Sequence, residues 1–345
     1  MLDKIVKVLI VDDSLLFRET LAKLISDDKH IEVVGKAGDA YQARDMILQL
    51  HPDVVTLDAE MPKMNGIDFL KKLIPQYPIP VIIVSSSAIN TFNAIDAGAV
   101  DFVKKPLINT PSDTKAFATE LKTKIMIASM AKILKKPKVQ NVTHVPHVIA
   151  PSAGDDMVIA LGASTGGTDA LLEVVKNFTK DCPPVVIVQH MPPVFTKMYA
   201  ERLGRTCEID VKEAENGDRL RPGLAIIGAG EYHLRLAKDA NGYYVTSRKG
   251  EKVSGHCPSV DVLFNSVAEV AQDRAIGAIL TGMGADGAKG LLAMKKAGAY
   301  TIGQNKESCV VYGMPMVAYN IGAVCEQASL DKIADVIYKK LNSKR

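Results

Sequence analysis

The sequence predicts two α/β domains, each built on an open sheet of mainly parallel strands. Three observations support this fold class. The chain has 345 residues, more than one ordinary hydrophobic core accommodates. Short apolar runs alternate with stretches of helical periodicity in both halves, as expected of repeated βαβ units. The alternation stops in a segment rich in proline and lysine near the middle of the chain.

The first half is predicted to hold five strands and five helices. Turn residues bound each apolar run, and the intervals are long enough for helices. The fifth helix is expected in residues 113–134, where Leu121, Ile125 and Ile133 recur at helical spacing. The strand runs are KVLIVDD (7–13), IEVVGKA (31–37), DVVTLDAEMP (53–62), PVIIVSSS (80–87) and DFVKKP (101–106).

Residues 135–155 are predicted to form a linker, because they combine three prolines with no sustained period. The predicted domains are therefore residues 1–134 and 156–345. A basic cluster at the linker solvates the connector or contacts an acidic partner. It consists of Lys132, Lys135, Lys136 and Lys138.

The second half is predicted to form a doubly wound, mainly parallel sheet with one inserted β-hairpin. Asn241-Gly242 separates the runs HLRLAKD (233–239) and GYYVTSRK (242–249), which is a strong signal for a two-residue hairpin turn. The other strand runs are MVIALGAS (157–164), PPVVIVQHMPP (183–193), GLAIIGAG (223–230), AIGAILTGMG (275–284), AYTIGQN (299–305) and GAVCEQAS (322–329).

Composition argues against several classes of protein. A net charge of +3 suggests neither nucleic acid nor an anionic membrane as a partner. The five cysteines show no metal-binding or disulfide spacing, which favours free thiols in a reducing cytoplasm. Acidic residues interrupt the N-terminal apolar run, so no signal peptide is expected. No apolar run approaches the about 18 residues of a membrane helix. We therefore expect a soluble, cytoplasmic protein.

Carboxylates end two strands of the first domain. Asp12 and Asp13 end the first predicted strand and Asp58 ends the third, so all three are expected at the carboxyl edge of the sheet. Three carboxylates there stay ionised only with a cation between them, and oxygen ligands suit Mg²⁺. Ser85 and Lys105 would lie at the same edge. Each residue alone is more simply a turn or cap residue, but the joint pattern is more specific.

This joint pattern resembles the receiver domain of two-component response regulators, which has a flavodoxin-like fold with a five-stranded parallel sheet. The resemblance implies that Asp58 accepts a phosphoryl group and that Asp12, Asp13 and Asp58 hold Mg²⁺. It also implies that Ser85 and Lys105 contact the phosphoryl oxygens and that Phe102 is the aromatic switch residue. A dehalogenase-type phosphatase would present a DxD arrangement, whereas Asp12 and Asp13 are adjacent.

Ser164 lies in a glycine-rich turn, within GASTGG (162–167), between a predicted strand and a predicted helix. No lysine follows the glycines as a phosphate-binding loop requires, and the spacing does not match GxGxxG. The match is to GxSxG, in which a serine nucleophile sits on a strand-to-helix turn. By itself this motif is weak, since Ser164 could instead cap the helix.

A serine nucleophile needs a base and an acid. The second domain holds His190, His233 and His256, of which His190 ends a strand and so shares the sheet edge with Ser164. Asp286 lies in a glycine-rich turn after another strand, where it would orient the imidazole or merely cap a helix. The order Ser, His, Asp excludes an α/β-hydrolase, which runs Ser, Asp, His.

Five stretches of the second half belong together: GASTGG (162–167), QHMPPVFT (189–196), GHCPSVDVLF (255–264), LTGMGADGAKGLLAM (280–294) and ESCVVYGMP (307–315). As a set they resemble the catalytic domain of the bacterial chemotaxis receptor methylesterase family, CheB. The family also carries a receiver domain in front, so the resemblance covers nearly the whole chain. One departure is Cys257, where a basic residue is expected.

The resemblance implies a phosphorylation-activated serine hydrolase with the triad Ser164, His190 and Asp286. It would demethylate γ-glutamyl methyl esters, and deamidate particular glutamines, on the cytoplasmic domains of methyl-accepting chemoreceptors. Backbone N–H groups of Thr165 and Met283 would hold the oxyanion. A chemotaxis histidine kinase would donate the phosphoryl group, and the catalytic domain would need no cofactor.

Phosphorylation of Asp58 is expected to uncover the Ser164 edge, which the unphosphorylated N-terminal domain would cover. The rival interpretation is a non-enzymatic response regulator whose second domain binds a partner. It predicts a missing triad residue, and none is missing. A transcription factor would require a small all-α output domain, which the α/β second half contradicts.

Overall fold

The computed structural model describes residues 4–106, 110–133 and 156–343. The chain divides into two compact units, residues 1–137 and 138–345. The predicted linker at residues 135–155, with Lys135, Lys136 and Lys138 of the basic cluster, lies outside the described residues. No helix among the described residues is long and apolar enough to cross a membrane.

The N-terminal unit alternates five strands with five helices, as predicted. Its sheet is wholly parallel in the order β2-β1-β3-β4-β5. Its elements are β1 (Val6–Val11), α1 (Leu15–Ile25), β2 (Ile31–Ala37), α2 (Ala40–Leu50), β3 (Val54–Leu57), α3 (Gly66–Gln76), β4 (Val81–Ser85), α4 (Ala88–Asp96), β5 (Asp101–Lys104) and α5 (Pro111–Ala128).

The strands of the N-terminal unit have nearly continuous apolar sequences because they are buried on both faces. All four residues of β3 and all five of β4 are buried, because helices cover both faces of a parallel sheet. Leu121 and Ile125 of α5 pack in the core with β1, as their helical spacing predicts.

The C-terminal unit has a seven-stranded sheet in the order β14-β13-β12-β6-β7-β9-β8, and all of its pairings are parallel. Its elements are β6 (Val158–Ala163), α6 (Gly167–Val175), β7 (Val185–Gln189), α7 (Phe195–Thr206), β8 (Asp210–Glu213), β9 (Leu224–Ile227), β10 (Tyr232–Asp239), β11 (Gly242–Lys249), α8 (Val260–Val270), β12 (Ala275–Ile279), α9 (Ala288–Lys296), β13 (Tyr300–Gln304), α10 (Met314–Asn320), β14 (Glu326–Ala328) and α11 (Ile333–Ser343).

The predicted hairpin is present as β10 and β11, which form a separate two-stranded sheet. Asp239 pairs with Gly242, so the two turn residues are Ala240 and Asn241, one position earlier than the motif suggested. Gly242 has a φ of 104°, the left-handed conformation that glycine adopts without strain. Leu234, Leu236 and Val245 face the core, where the hairpin packs with α8.

The strand order places β6 at a topological switch point. From β6 the chain runs through β7 and β9 on one side and later returns through β12 on the other. Crevices at the carboxyl ends of such strands are where ligands bind in open α/β sheets.

Candidate active site and phosphoacceptor site

Three neighbouring strands bring Ser164, His190 and Asp286 to one edge of the C-terminal sheet. Ser164 directly follows β6 and His190 directly follows β7, while Asp286 lies in the loop between β12 and α9. Because β12, β6 and β7 are adjacent and parallel, their carboxyl ends meet at this edge. The sequence analysis predicted this location for all three residues.

The side chains of these residues form one hydrogen-bonded chain. His190 Nδ1 lies 3.1 Å from Ser164 Oγ, and His190 Nε2 lies 2.8 Å from Asp286 Oδ2. An Nε2–H that donates to the carboxylate leaves Nδ1 as the acceptor for the serine hydroxyl. This is the nucleophile, base and orienting acid arrangement of serine hydrolases.

Asp286 is buried and accepts hydrogen bonds from the start of α8 as well as from His190. Ser259 Oγ donates to it at 2.7 Å, and the N–H groups of Val260 and Asp261 donate at 2.7 and 3.0 Å. Burial alone would raise the pKa of Asp286, but the His190 hydrogen bond and charge and these donors outweigh it and lower the pKa. Asp286 does not cap α9, the helix that follows its turn, because the N-cap of α9 is Gly287 and no side chain caps it. Its carboxylate instead binds the imidazole and the first N–H groups of α8.

Ser164 does not cap α6, which was the simpler interpretation of its position. The N-cap of α6 is Gly166, and no side chain caps this helix. Ser164 N–H donates to the Thr281 carbonyl at 3.0 Å, and the Ser164 carbonyl accepts from Gly167 N–H at 2.7 Å. The backbone of the turn is thus fixed while the hydroxyl faces His190.

Glycine permits the close approach of two loops around Ser164. A Cβ added to Gly282 would lie 2.7 Å from Ser164 Cβ and 3.0 Å from Ser164 N. Gly166 has a φ of 74°, in the left-handed region. The loops after β6 and β12 therefore pack at distances that only glycine allows.

The predicted oxyanion residues lie on these same two loops. The Thr165 carbonyl accepts from Thr281 Oγ1 at 3.0 Å, which ties the turn after β6 to the loop after β12. Met283 lies in that second loop, and its N–H has no hydrogen-bond partner among the described residues. Their role as oxyanion donors stays a prediction.

His256 is the residue at this site whose place sequence reasoning missed. Its ring stacks on His190 with the centroids 3.6 Å apart and the planes 7° from parallel. Sequence analysis favoured His190 over His256 because His256 lies in a loop before a helix. The path of such a loop cannot be predicted from sequence periodicity. His233 lies elsewhere, on β10, where its Nε2 is 2.8 Å from the Glu251 carbonyl.

A second site lies at the carboxyl edge of the N-terminal sheet. The carboxylate oxygens of Asp12, Asp13 and Asp58 lie within 4.8 Å of one another. Lys105 Nζ lies 2.7 Å from Asp12 Oδ2 and 2.5 Å from Asp58 Oδ2. Burial, together with the charge of Asp58, raises the pKa of Asp12 despite the hydrogen bond and charge of Lys105. Burial disfavours the Lys105 ammonium, but its two carboxylate partners outweigh this and raise its pKa.

This acidic cluster fits Mg²⁺. Three carboxylates against one ammonium leave an excess of negative charge, and oxygen donors are the ligands that Mg²⁺ prefers. Asp12, Asp13 and Asp58 would hold the ion.

The other predicted receiver residues lie near this edge. Ser85 ends β4, and its Oγ accepts from the Ser87 N–H at 3.1 Å. Phe102 of β5 is buried, with its ring 6.5 Å from Phe92 and Lys124 Nζ 4.9 Å from its centroid. Their roles in phosphoryl contact and switching stay predictions.

Comparison with known proteins gives matches for both units. The family model described as CheB methylesterase matches residues 159–337, and that of the response regulator receiver domain matches residues 8–113. The crystal structure of the Thermotoga maritima CheB methylesterase catalytic domain is 38% identical, with a TM-score of 0.52, covering 53% of this chain and 97% of that one.

Curated relatives match along nearly the whole chain. The protein-glutamate methylesterase/protein-glutamine glutaminase of Escherichia coli O157:H7 is 42% identical over 98% of this chain and 97% of its own. That of Syntrophomonas wolfei, numbered 2, is 55% identical over 98% of both chains. By these matches the chain belongs to the CheB methylesterase family and carries a response-regulator receiver domain in its N-terminal half.

Proposed function

We propose that this protein is a protein-glutamate methylesterase of bacterial chemotaxis, which hydrolyses γ-glutamyl methyl esters on chemoreceptors. The observation that carries the proposal is the hydrogen-bonded chain from Ser164 Oγ through His190 to Asp286. The names of the full-length relatives support the reaction and the class of substrate.

In the first half of the reaction Ser164 Oγ attacks the ester carbonyl while His190 Nδ1 takes the serine proton. The tetrahedral intermediate collapses when His190 returns that proton to the methoxy oxygen, and methanol leaves. Asp286 stabilises the imidazolium that exists between these two transfers.

In the second half water attacks the γ-glutamyl ester of Ser164, again with His190 as base. The products are a free glutamate side chain and the regenerated serine hydroxyl. The N–H groups of Thr165 and Met283 would bind the oxyanion in both halves, and each such donor is typically worth about 10²–10³ in rate. Deamidation of glutamine follows the same path, with ammonia as the leaving group.

The N-terminal unit is proposed to control this activity through phosphorylation of Asp58. The Asp58 carboxylate would accept a phosphoryl group from a phosphohistidine of the chemotaxis histidine kinase, as the P–N bond breaks and a P–O bond forms. Lys105 and Ser85 would hold the phosphoryl oxygens, since Lys105 already binds Asp58. Mg²⁺ bound at Asp12, Asp13 and Asp58 would neutralise charge on those oxygens.

A non-enzymatic regulator is not favoured. All three triad residues are present, and Ser164 and Asp286 each lie within hydrogen-bond distance of His190. The relatives' names also describe enzymes.

Mass spectrometry of a methylated chemoreceptor fragment, before and after incubation with the protein, tests the reaction. Ester hydrolysis lowers the mass of a modified peptide by one CH₂ group, and deamidation raises a glutamine peptide by the difference between O and NH. A fragment whose modified glutamates and glutamines all keep their mass would contradict the proposal.

A further inference from the structure

The exposed face of the β10–β11 hairpin carries a cleft of about 360 Å³. Strand pairing places His233 opposite Arg248 and Arg235 opposite Thr246, on one face of the ribbon. The other face packs into the core. We call this feature the hairpin cleft, and it is lined by His233, Arg235, Thr246, Arg248, Lys249 and Gly250.

The hairpin cleft concentrates positive charge that the described chain does not balance. Arg235, Arg248 and Lys249 are exposed, and across residues 4–106, 110–133 and 156–343 no carboxylate lies within ion-pair distance of them. Arg219 behaves differently, because Asp239 at the hairpin tip accepts two hydrogen bonds from it, at 2.7 and 2.6 Å. The cations of the hairpin cleft are therefore available to an anionic partner.

His233 adds an incomplete hydrogen-bonding group to the lining of this cleft. The residue is 6% exposed, and its Nε2–H donates to the Glu251 carbonyl at 2.8 Å. Its Nδ1 is buried without a partner among the described residues. Because Nε2 carries the proton, Nδ1 is an acceptor that a donor such as water would complete, so the contacts to a carboxylate come from the arginines and the lysine of the cleft. Gly250 packs against the ring, since a Cβ there would be 2.7 Å from His233 Cδ2.

A short loop joins the hairpin cleft to the catalytic residues. Gly250 lines the cleft and His256, six residues later, stacks on His190. Six residues of extended chain span at most about 21 Å, so Gly250 and His256 lie within that distance of each other. The loop is shorter in practice, because Val253 and His256 exchange two backbone hydrogen bonds of 3.0 Å.

We propose that the hairpin cleft binds free carboxylates of the receptor segment that presents the ester to Ser164. The inference rests on the proposed function, because each turnover leaves a glutamate carboxylate on the substrate. The planar guanidinium of an arginine donates two parallel hydrogen bonds to one carboxylate, which suits Arg235 and Arg248 to this ligand. Carboxylates on the receptor close to the ester would therefore strengthen binding.

Charge reversal of both arginines tests this inference. We expect Arg235→Glu/Arg248→Glu to raise KM for a soluble, methylated receptor fragment about tenfold, with kcat unchanged. Added salt should raise KM for the wild type and much less for the variant. The matched control is Arg205→Glu/Lys339→Glu, which reverses two exposed cations on α7 and α11. Its KM should stay close to that of the wild type.

The second substrate is a short, otherwise uncharged peptide that carries one γ-glutamyl methyl ester. Equal activity of all three proteins on this peptide shows that the variants are folded and chemically competent. An equal rise of KM in the control pair would overturn the inference, as would an unchanged KM in the hairpin variant.

Two further outcomes separate the alternatives. A rise of KM seen only with receptors in membranes, and not with the soluble fragment, would assign the cleft to lipid headgroups and overturn the inference. A wild type that hydrolyses neither substrate would refute the proposed function itself and this inference with it.

Discussion

The carboxylate of Asp286 accepts hydrogen bonds from His190 Nε2, Ser259 Oγ and the N–H groups of Val260 and Asp261. The α8 donors fix its position, so the imidazole that it binds is fixed as well. Sequence reasoning identified Asp286 from its turn and its strand edge. It did not reveal that the first residues of α8 donate the hydrogen bonds that hold this carboxylate. Residues 259–261 lie far from residue 286 along the chain and contact it only in the folded structure.

Asp286→Asn should lower both activity and stability. An amide cannot accept from all of these donors, so we expect a loss of about 10⁴ in kcat and of about 3 kcal/mol in the free energy of unfolding at pH 7. The exposed Asp273→Asn is the matched control and should change neither. Assays of ester hydrolysis and denaturant titrations measure the two effects.

The contribution of Asp286 to the free energy of unfolding depends on pH with a defined sign. The pKa of Asp286 is lowered from its ordinary 3.8 in the folded protein, so the unfolded chain takes up the proton first. Its stabilising contribution is complete above that ordinary value and is lost as pH falls through the folded pKa. The difference in unfolding free energy between wild type and Asp286→Asn should thus stay constant from pH 7 to about 5 and shrink below about 4. A difference that grows on acidification would contradict this assignment.

At the scale of elements, the buried strands were predictable because their apolar runs are bounded by turn residues. β8 was missed, since Asp210–Glu213 is four residues long, polar and at the edge of the sheet. Only its pairing with β9 identifies it as a strand. The hairpin was predicted, but its separation from the main sheet depends on its packing against α8, which no local pattern encodes.

The contact between the loops after β6 and β12 is the element-scale feature that holds Ser164. Gly282→Ala places a Cβ against Ser164 Cβ and Met314 Sδ, at 2.7 and 2.4 Å before any relaxation. A shift of about 1 Å at a reacting group costs on the order of 10² in rate, which is the loss of kcat that we expect.

Gly204→Ala is the control for this substitution. Gly204 lies in α7, where the nearest atom to an added Cβ is 3.5 Å away. Alanine there should stabilise the protein by about 0.5–1 kcal/mol and leave activity unchanged. Equal activity of the two variants in an ester hydrolysis assay would show that the loop contact does not position Ser164.

At the scale of the whole molecule, a phosphoacceptor unit and a hydrolase unit share one chain. Such a regulator requires two states of different activity, and the phosphoryl group must bias the equilibrium between them. The sequence identified both units from their motifs. That the unphosphorylated N-terminal unit restrains the other stays a prediction, which activity measurements would test.

A chain that begins at residue 150 should be more active than the unphosphorylated full-length protein. The catalytic domain of the Thermotoga maritima relative, which matches 53% of this chain, was solved as a separate domain, and we expect the shortened chain to fold as well. Circular dichroism provides the control for folding. If the shortened, folded chain is no faster than the unphosphorylated whole protein, the N-terminal unit does not act by covering the catalytic edge.

The most direct measurement is methanol release from methylated receptor membranes by wild type and Ser164→Ala, each with and without a small-molecule phosphodonor. The account predicts release by the wild type alone, at a rate that rises with the phosphodonor. Equal release by both proteins would contradict the assignment of Ser164 as nucleophile. No release by either, with Asp58 shown to be phosphorylated, would contradict the proposed reaction.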